Sequence, residues 1–371
     1  MLNSKTEALG IIFPNSYDAM VPDLVSERLM ASIPFASRYR MCDFILSSMV
    51  HSGIDNISII VRKNYHSLLD HLGAGREWDL VRKNGGLNIV PPFAQKQVKV
   101  FEGRIEALES LRGYLLKQPQ KYVIMTDANI AINFDFNELL DAHIKSGADV
   151  TMMYRKQEIP KAFIRQSRDR MDLYYALGMN GDRVSKIYIN PTEEGEMNFS
   201  MNIYVVEREF LIHMIDDAYV HGHTYFVRDL LDKQIDRLDI RGFCYDGYVV
   251  NIHDTQSYFE ENMRLLQEEN LNALFSPNQI YTKINGSKAK NVMVADGCVI
   301  EGEVENSVLF RGVHVGKGAK VKNCVLMQDT VVEDNASVEY VITDKNVRVT
   351  EGKSLTGNES YQVYVSKGQV V

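Results

Sequence analysis

The 371-residue chain carries only four cysteines, Cys42, Cys244, Cys298 and Cys324, and no two of them form a CxxC pair. That scarcity argues against a disulfide scaffold and against a zinc ribbon. It suits a reduced, cytoplasmic protein with small buried thiols. The nine histidines fall in no HExxH-type spacing, which removes a common metallohydrolase pattern. There is no run of Lys or Arg, and the net charge is −8. A chain that tracks a phosphate backbone carries the opposite balance, so nucleic acid is not an expected partner. No apolar stretch reaches the roughly 18 residues that span a bilayer, and no membrane association is expected. The opening "MLNSKTEALGIIF" has too short an apolar segment and no cleavage-like end for a signal peptide.

What is there is an ordinary soluble composition, 45% apolar and 24% charged, in a chain long enough for two or three domains. From residue 1 to about 270, strand-like and helix-like segments alternate. Ala8–Phe13, "ISIIV" from Ile57 and Tyr122–Met125 read as strands. The stretches near 64–72, 104–116 and 135–146 read as helices. That alternation predicts an α/β domain with a doubly wound, mostly parallel sheet. Further strand candidates are "SKIYI", "SMNIYVV" and "IRGFCY". A helix is expected from Thr255 as N-cap through Leu265, Leu266 and Leu271. Residues 271–284 read as a linker.

From 285 to 371 the texture changes. Val304, Val321 and Val338 lie 17 residues apart (321−304, 338−321), and Val308, Val325 and Ile342 keep the interval, as do Val315, Val332 and Val349. Within each unit apolar residues recur about every six positions. Three short strands per coil, with valines stacked inward, predict a left-handed hexapeptide parallel β-helix. Gly302, Gly316 and Gly318 are expected to supply backbone freedom at its corners. The open ends of such a coil predict an oligomer.

One short stretch carries the functional question. In "YVIMTDANIAINFDF", Asp127 closes a strand in the place where open α/β sheets bind ligands, and Asp135 opens a helix. By itself Asp127 is either half of a metal site or a solvated strand-end residue.

Longer segments resemble a family. "IPFASRYRMCDFILSSMVHSGI" (33–54) is similar to the bacterial ADP-glucose pyrophosphorylase segment PFGGKYRIIDFxLSNxxNSGI. "ITDKNVRVTEG" (342–352) is similar to IIDKNVRIPEG, and "NYHSLLDHL" with Trp78 and "FSMNIYVV" (199–206) have counterparts too. The resemblance runs along essentially the whole chain. It implies glucose-1-phosphate adenylyltransferase chemistry, in which the sugar phosphate attacks the α-phosphorus of ATP while Mg²⁺ neutralises developing charge.

The same alignment of motifs implies that the machinery is missing here. The phosphate loop GGxGTRLxPLT is replaced by "FPNSYDAMVPDL" (13–24), with no glycine, no arginine, and Asp18 and Asp23 bringing negative charge. Such a loop lacks what cradles phosphates. One metal aspartate is matched by Asp127, but the other is Asn251, with Asp254 three residues on as a possible substitute. The sugar-phosphate lysine is Asn190, another family lysine is Met30, and GTADA has become "GRIEA" with Arg104 and Glu106. Asp127 therefore reads as a remnant, with no catalytic set intact. Ser200 and Gly178 are carried over as remnants of substrate binding, Ser200 being otherwise a strand end. Arg38 and Arg40 match positions associated with anionic effectors, and Arg40 could equally pair with Asp43. His66 and His71 read as helix-surface or core residues, and Trp78 as packing.

The chain resembles most the degenerate, regulatory subunit of this family found in some Gram-positive bacteria. That implies a catalytic glucose-1-phosphate adenylyltransferase subunit as partner, a homo- or hetero-tetramer, and an anionic metabolite as effector. It also implies Mg²⁺ in the partner and no cofactor in this chain. A weakly active transferase is the alternative. A hexapeptide acyltransferase is a further one, although His314 stands in "GVHVG" with no evident partner.

Overall fold

The computed structural model describes residues 7–83, 85–91, 103–165, 174–193, 195–277 and 279–371. The first six residues, on which the reading of the N-terminus partly rests, lie outside them. The chain forms two compact units that do not follow its linear order. Unit 1 is Met1–Tyr17, Ile45–Ala128 and Phe134–Gly247; unit 2 is Asp18–Phe44, Asn129–Asn133 and Tyr248–Val371.

Unit 1 is built on a sheet of strands β1 (Ala8–Phe13), β2 (Asn56–Ile60), β3 (Gly86–Val90), β4 (Tyr122–Asp127), β5 (Val150–Glu158), β6 (Tyr175–Asn180), β7 (Arg183–Ile189), β8 (Glu196–Glu207) and β9 (Ile240–Cys244). Their order is β3-β2-β1-β4-β8-β5-β9-β7-β6. β1 is apolar and buried along its whole length, as befits a central strand covered on both faces. It runs parallel to β2 and to β4, with Phe13 opposite Asp127. Beyond β4 the expected parallel order becomes mixed. β8 is antiparallel to both β4 and β5, while β9 returns parallel to β5. The reversal follows from the β6–β7 hairpin, a type of link that only antiparallel strands can make with a tight turn.

The helices are α1 (Met41–His51), α2 (His66–Leu72), α3 (Arg104–Leu115), α4 (Phe136–Ser146), α5 (Lys161–Arg165), α6 (Arg208–Val220), α7 (Thr255–Arg264) and α8 (Glu268–Leu274). α4 shows how locally they are specified. Asp135 accepts from the Asn137 N–H at 3.0 Å, Gly147 ends the helix in the left-handed region, and Phe136, Leu139, Leu140 and His143 form its buried stripe. The helix expected from Thr255 is two helices, and its N-cap is Asp254. The Asp254 carboxylate accepts from the Ser257 N–H at 2.7 Å, and Ser257 Oγ closes a capping box. No helix among the described residues is long and apolar enough to cross a membrane.

In unit 2, residues from 289 onward wind into a three-sided parallel coil. Val304 pairs with Val321, which pairs with Val338 and then Leu355; Val315 pairs with Val332 and then Val349. The 17-residue interval is therefore one full turn. Its interior is a column made mostly of valines and alanines, with Leu309, Cys324 and Leu326 among them. Three sets of corners take the left-handed backbone. One is Asn291, Asn306, Asn323 and Tyr340; another is Gly297, Gly312, Asp329 and Asn346; the third is Gly318, Asn335 and Gly352. Of the three glycines singled out in the sequence, only Gly318 has a positive φ. Gly302 is required for another reason: a Cβ there would lie 2.4 Å from the Ala319 carbonyl and 2.6 Å from that of Gly316.

Candidate functional site

The carboxyl ends of β1, β2 and β4 in unit 1 surround a cavity of about 100 Å³. Its wall includes Phe13, Ser16, Tyr17, Arg62, Arg104, Asp127 and Tyr175. Ligand pockets for drug-sized molecules run to about 300–1,000 Å³, so a nucleoside triphosphate does not fit this space as it stands.

The loop after β1 is the first reason. Its polar side chains turn inward to the protein itself instead of leaving N–H groups open to phosphate. Asn15 Oδ1 accepts from the Arg62 N–H at 3.0 Å, and Tyr17 accepts from Asn202 Nδ2 at 2.7 Å. Tyr17 is held at φ 64 and packs edge-on against Phe163. Ser16 Oγ donates to Asp127 Oδ1 at 2.7 Å. Each of these contacts fills room that glycines would have left.

Asp127 itself is fully buried, at 0% exposure. The reading of it as a solvated strand-end residue is corrected, because the β1 loop and the start of α3 close over it. Its Oδ1 accepts a second hydrogen bond, from Arg104 Nη2 at 2.6 Å. The guanidinium lies 4.5 Å from the Phe13 ring centroid and 5.6 Å from that of Tyr204. Burial alone would favour its neutral form, but the Asp127 carboxylate carries its pKa above the ordinary value. Burial also raises the Tyr204 phenol to about 12, with Arg104 pulling the other way. Both tyrosyl and guanidinium groups therefore keep their protons throughout the physiological range.

The start of α3 is fixed from behind. A Cβ at Gly103 would lie 2.2 Å from the Thr224 carbonyl, which accepts from the Ile105 N–H. The backbone N–H groups of Thr224 and Tyr225 both donate to Asp229. Against the effect of burial, the Arg228 bond and these amides hold the Asp229 carboxyl well below the usual range. A π-helical turn, Phe226–Leu231, follows, a rare geometry concentrated at functional sites.

A divalent cation does not fit the residues present. Mg²⁺ is held by carboxylates and waters; Asp127 Oδ1 already has two donors, one of them a cation, which leaves its Oδ2 as a single oxygen beside a positive charge. In unit 2, Asn251 spends its amide oxygen on Asn129 Nδ2 at 3.1 Å. Asp254, the possible substitute, is committed to capping α7.

The other sequence-derived positions have local employment. Asn190 sits at φ 48 and accepts from the Tyr174 N–H at 3.0 Å, so it forms a turn. Ser200 is buried and accepts from the Asn202 N–H at 3.2 Å. Gly178 is packed in the β6–β7 hairpin against Lys186 and Tyr188. Trp78 donates to Ser47 Oγ at 3.3 Å and meets the His71 ring edge-on, which is packing.

Within unit 2, Met30 is fully buried, and its N–H donates to Asp18 at 2.8 Å. The Arg38 guanidinium pairs with Asp296 at 2.5 Å, and the Arg40 N–H donates to Asp43 at 2.9 Å. His314 lies 3.3 Å from Glu301, a partner not evident from the sequence. The residue that sequence reasoning weighed least was Arg104. It registered as an ill-fitting substitution, and its only signal was a positive charge placed where a neutral residue belonged.

Residues 23–268 match the sequence model of the family described as Nucleotidyl transferase, and residues 277–364 match that of the GlmU-like, C-terminal hexapeptide. The chain is 32% identical to the glycogen biosynthesis protein GlgD of Bacillus subtilis (strain 168), over 98% of this chain and 97% of that one. It is 34% identical to GlgD of Geobacillus stearothermophilus, over 84% and 82%. It is also 30% identical to the glucose-1-phosphate adenylyltransferase of the same organism, over 86% and 84%.

Proposed function

Because this chain belongs to the nucleotidyl transferase family, and within it to the group of the glycogen biosynthesis protein GlgD, we propose that it is a catalytically degenerate regulatory subunit in glycogen biosynthesis. It acts by assembling with a catalytic glucose-1-phosphate adenylyltransferase subunit, as a hetero-tetramer in the cytoplasm, and changing that partner's turnover. The observation that carries this reading is the state of Asp127. The one retained position of the metal pair is buried and taken up by Ser16 and Arg104, in a cavity too small for ATP. Catalysis of this type depends on positioned charge and metal, and neither is available to a substrate. Likeness to GlgD along nearly the whole chain supports a role kept without the chemistry.

Regulation by an anionic metabolite belongs to the same proposal, with Arg38 and Arg40 as binding residues. Unit 2 gathers positive charge in support. Burial lowers the pKa of Arg40, and Arg28 and Arg311 add to the lowering while Cys42 and Asp43 oppose it. Burial likewise lowers Lys345 to about 8, with Arg40 and Arg28 pushing the same way. A phosphorylated metabolite would relieve that mutual repulsion. Along the chain we assign 1–270 to the transferase-like part, 271–284 to the linker and 285–371 to the β-helix.

The test is synthesis of ADP-glucose from ATP and glucose 1-phosphate, by the purified chain alone and by a catalytic homologue titrated with it. No turnover alone, with a raised rate or altered effector response on mixing, is the expected result. Turnover by the chain alone that is lost on Asp127→Asn would overturn the proposal.

A further inference from the structure

A buried carboxylate with no cation beside it is unstable: it either protonates or finds a partner. In unit 1 the partner of Asp127 is a side chain. Arg104 occupies the first position of α3, where the helix dipole disfavours a cation, so its placement needs a compensating negative charge. Asp127 provides it, while Phe13 and Tyr204 hold the planar guanidinium by its faces. A weakly hydrated guanidinium suits a buried pair of this kind better than a compact, strongly hydrated ion does. The other oxygen, Asp127 Oδ2, is buried with no hydrogen-bond partner among the described residues. A divalent cation on either oxygen would have to sit beside the positive guanidinium, whose nitrogen is 2.6 Å from Oδ1, and like charges at that spacing repel.

We propose that Arg104 is a tethered replacement for the divalent cation, neutralising Asp127 from within the chain and locking the ends of β1 and β4 to the start of α3. The site is then not an emptied metal site. It is a closed one, whose geometry no longer depends on metal or nucleotide. A regulatory chain built this way keeps its shape while ATP and Mg²⁺ rise and fall. The inference rests on the degenerate reading for the identity of the cation replaced, but its test is separate. Loss of the regulatory effect on a partner would leave the ion pair standing, and failure below would leave the regulatory role standing.

The experiment uses the full chain and Mn²⁺ as probe, followed by electron paramagnetic resonance, together with thermal unfolding. Wild type and Asp127→Asn are expected to give the same Mn²⁺ titration, and EDTA is expected to leave the wild-type Tm unchanged. Mn²⁺ bound by wild type and lost in Asp127→Asn would overturn the proposal without any destabilised variant. Arg104→Met, which keeps the stem and removes the charge, is expected to lower Tm. The Arg104→Met/Asp127→Asn double variant is expected to recover part of that loss. If instead the losses of the two single variants simply add, the two charges are not a pair and the proposal fails.

Discussion

Arg28 and Asp344 illustrate what a single buried charge requires in unit 2. They are 2% and 1% exposed and meet at 2.6 Å. Arg28 also donates to the Leu24 carbonyl, and Asp344 accepts from the Lys345 N–H and from the Tyr364 hydroxyl. Removing one member of such a pair leaves the other as an uncompensated buried charge, which costs about 3–5 kcal/mol. Asp344→Asn is therefore expected to lower stability by about that amount in chemical denaturation, while breaking the exposed pair of Arg348 with Glu333 should cost far less, because water screens it. Equal losses at the two sites would contradict the account. The contrast also marks what sequence could convey at this scale. The lost phosphate loop and the missing second aspartate were legible because a short motif names each position. The Arg104–Asp127 pair was not, because nothing in the local pattern of either residue points to the other across 23 positions.

Among the elements, the β-helix was the most legible, since a 17-residue interval imposes itself on every face of the coil. What the periodicity of valines did not reveal is how the corners are made. Glycine was the expected corner residue, yet asparagine takes much of the work: Asn291, Asn306 and Asn323 hold φ of 52, 44 and 49 on successive turns. Asparagine reaches this region at small penalty, whereas most L-residues lose roughly 1–2 kcal/mol there. Asn323→Val, which places a β-branched residue at the corner, should cost at least that much, about 1–2 kcal/mol, measured by urea unfolding. A neutral substitution would mean that the corner backbone relaxes. The sheet of unit 1 was less legible. β3, "GLNIV", opens on the second of two glycines, and β6, "YALGMN", carries a glycine in its middle, so neither offered a clear period. The break after α7 was hidden too, because leucines continue at helical spacing through it.

For the molecule as a whole, the order of the chain and the division into compact units differ. Residues 18–44 belong to unit 2, where the Tyr258 hydroxyl donates to the Pro34 carbonyl at 2.8 Å and the Ala36 N–H donates to Asn262 at 3.2 Å. A chain cut at residue 284 would keep that segment and lose Asp344 and Tyr364. We expect residues 1–284 alone to bind hydrophobic dyes and to unfold without a sharp cooperative transition. A cooperative transition from that fragment would establish 285 as an autonomous boundary. Sequence could place the change of texture near 285, because composition shifts there. It could not place the return of an early segment, since the partners of residues 18–44 lie more than 200 positions downstream.

That routing has a consequence for the chain as it is made. Arg28 and Asp344 are 316 residues apart. A ribosome adding about 5–20 residues per second separates their synthesis by roughly 16–60 s. For that interval the arginine destined for the interior of unit 2 has no carboxylate to meet. The first strands of unit 1 can pair while translation continues, but unit 2 cannot close until the last coil has left the exit tunnel. Arg28 is thus born long before its counter-charge, and a nascent chain of this design carries that arginine without Asp344 through most of its synthesis.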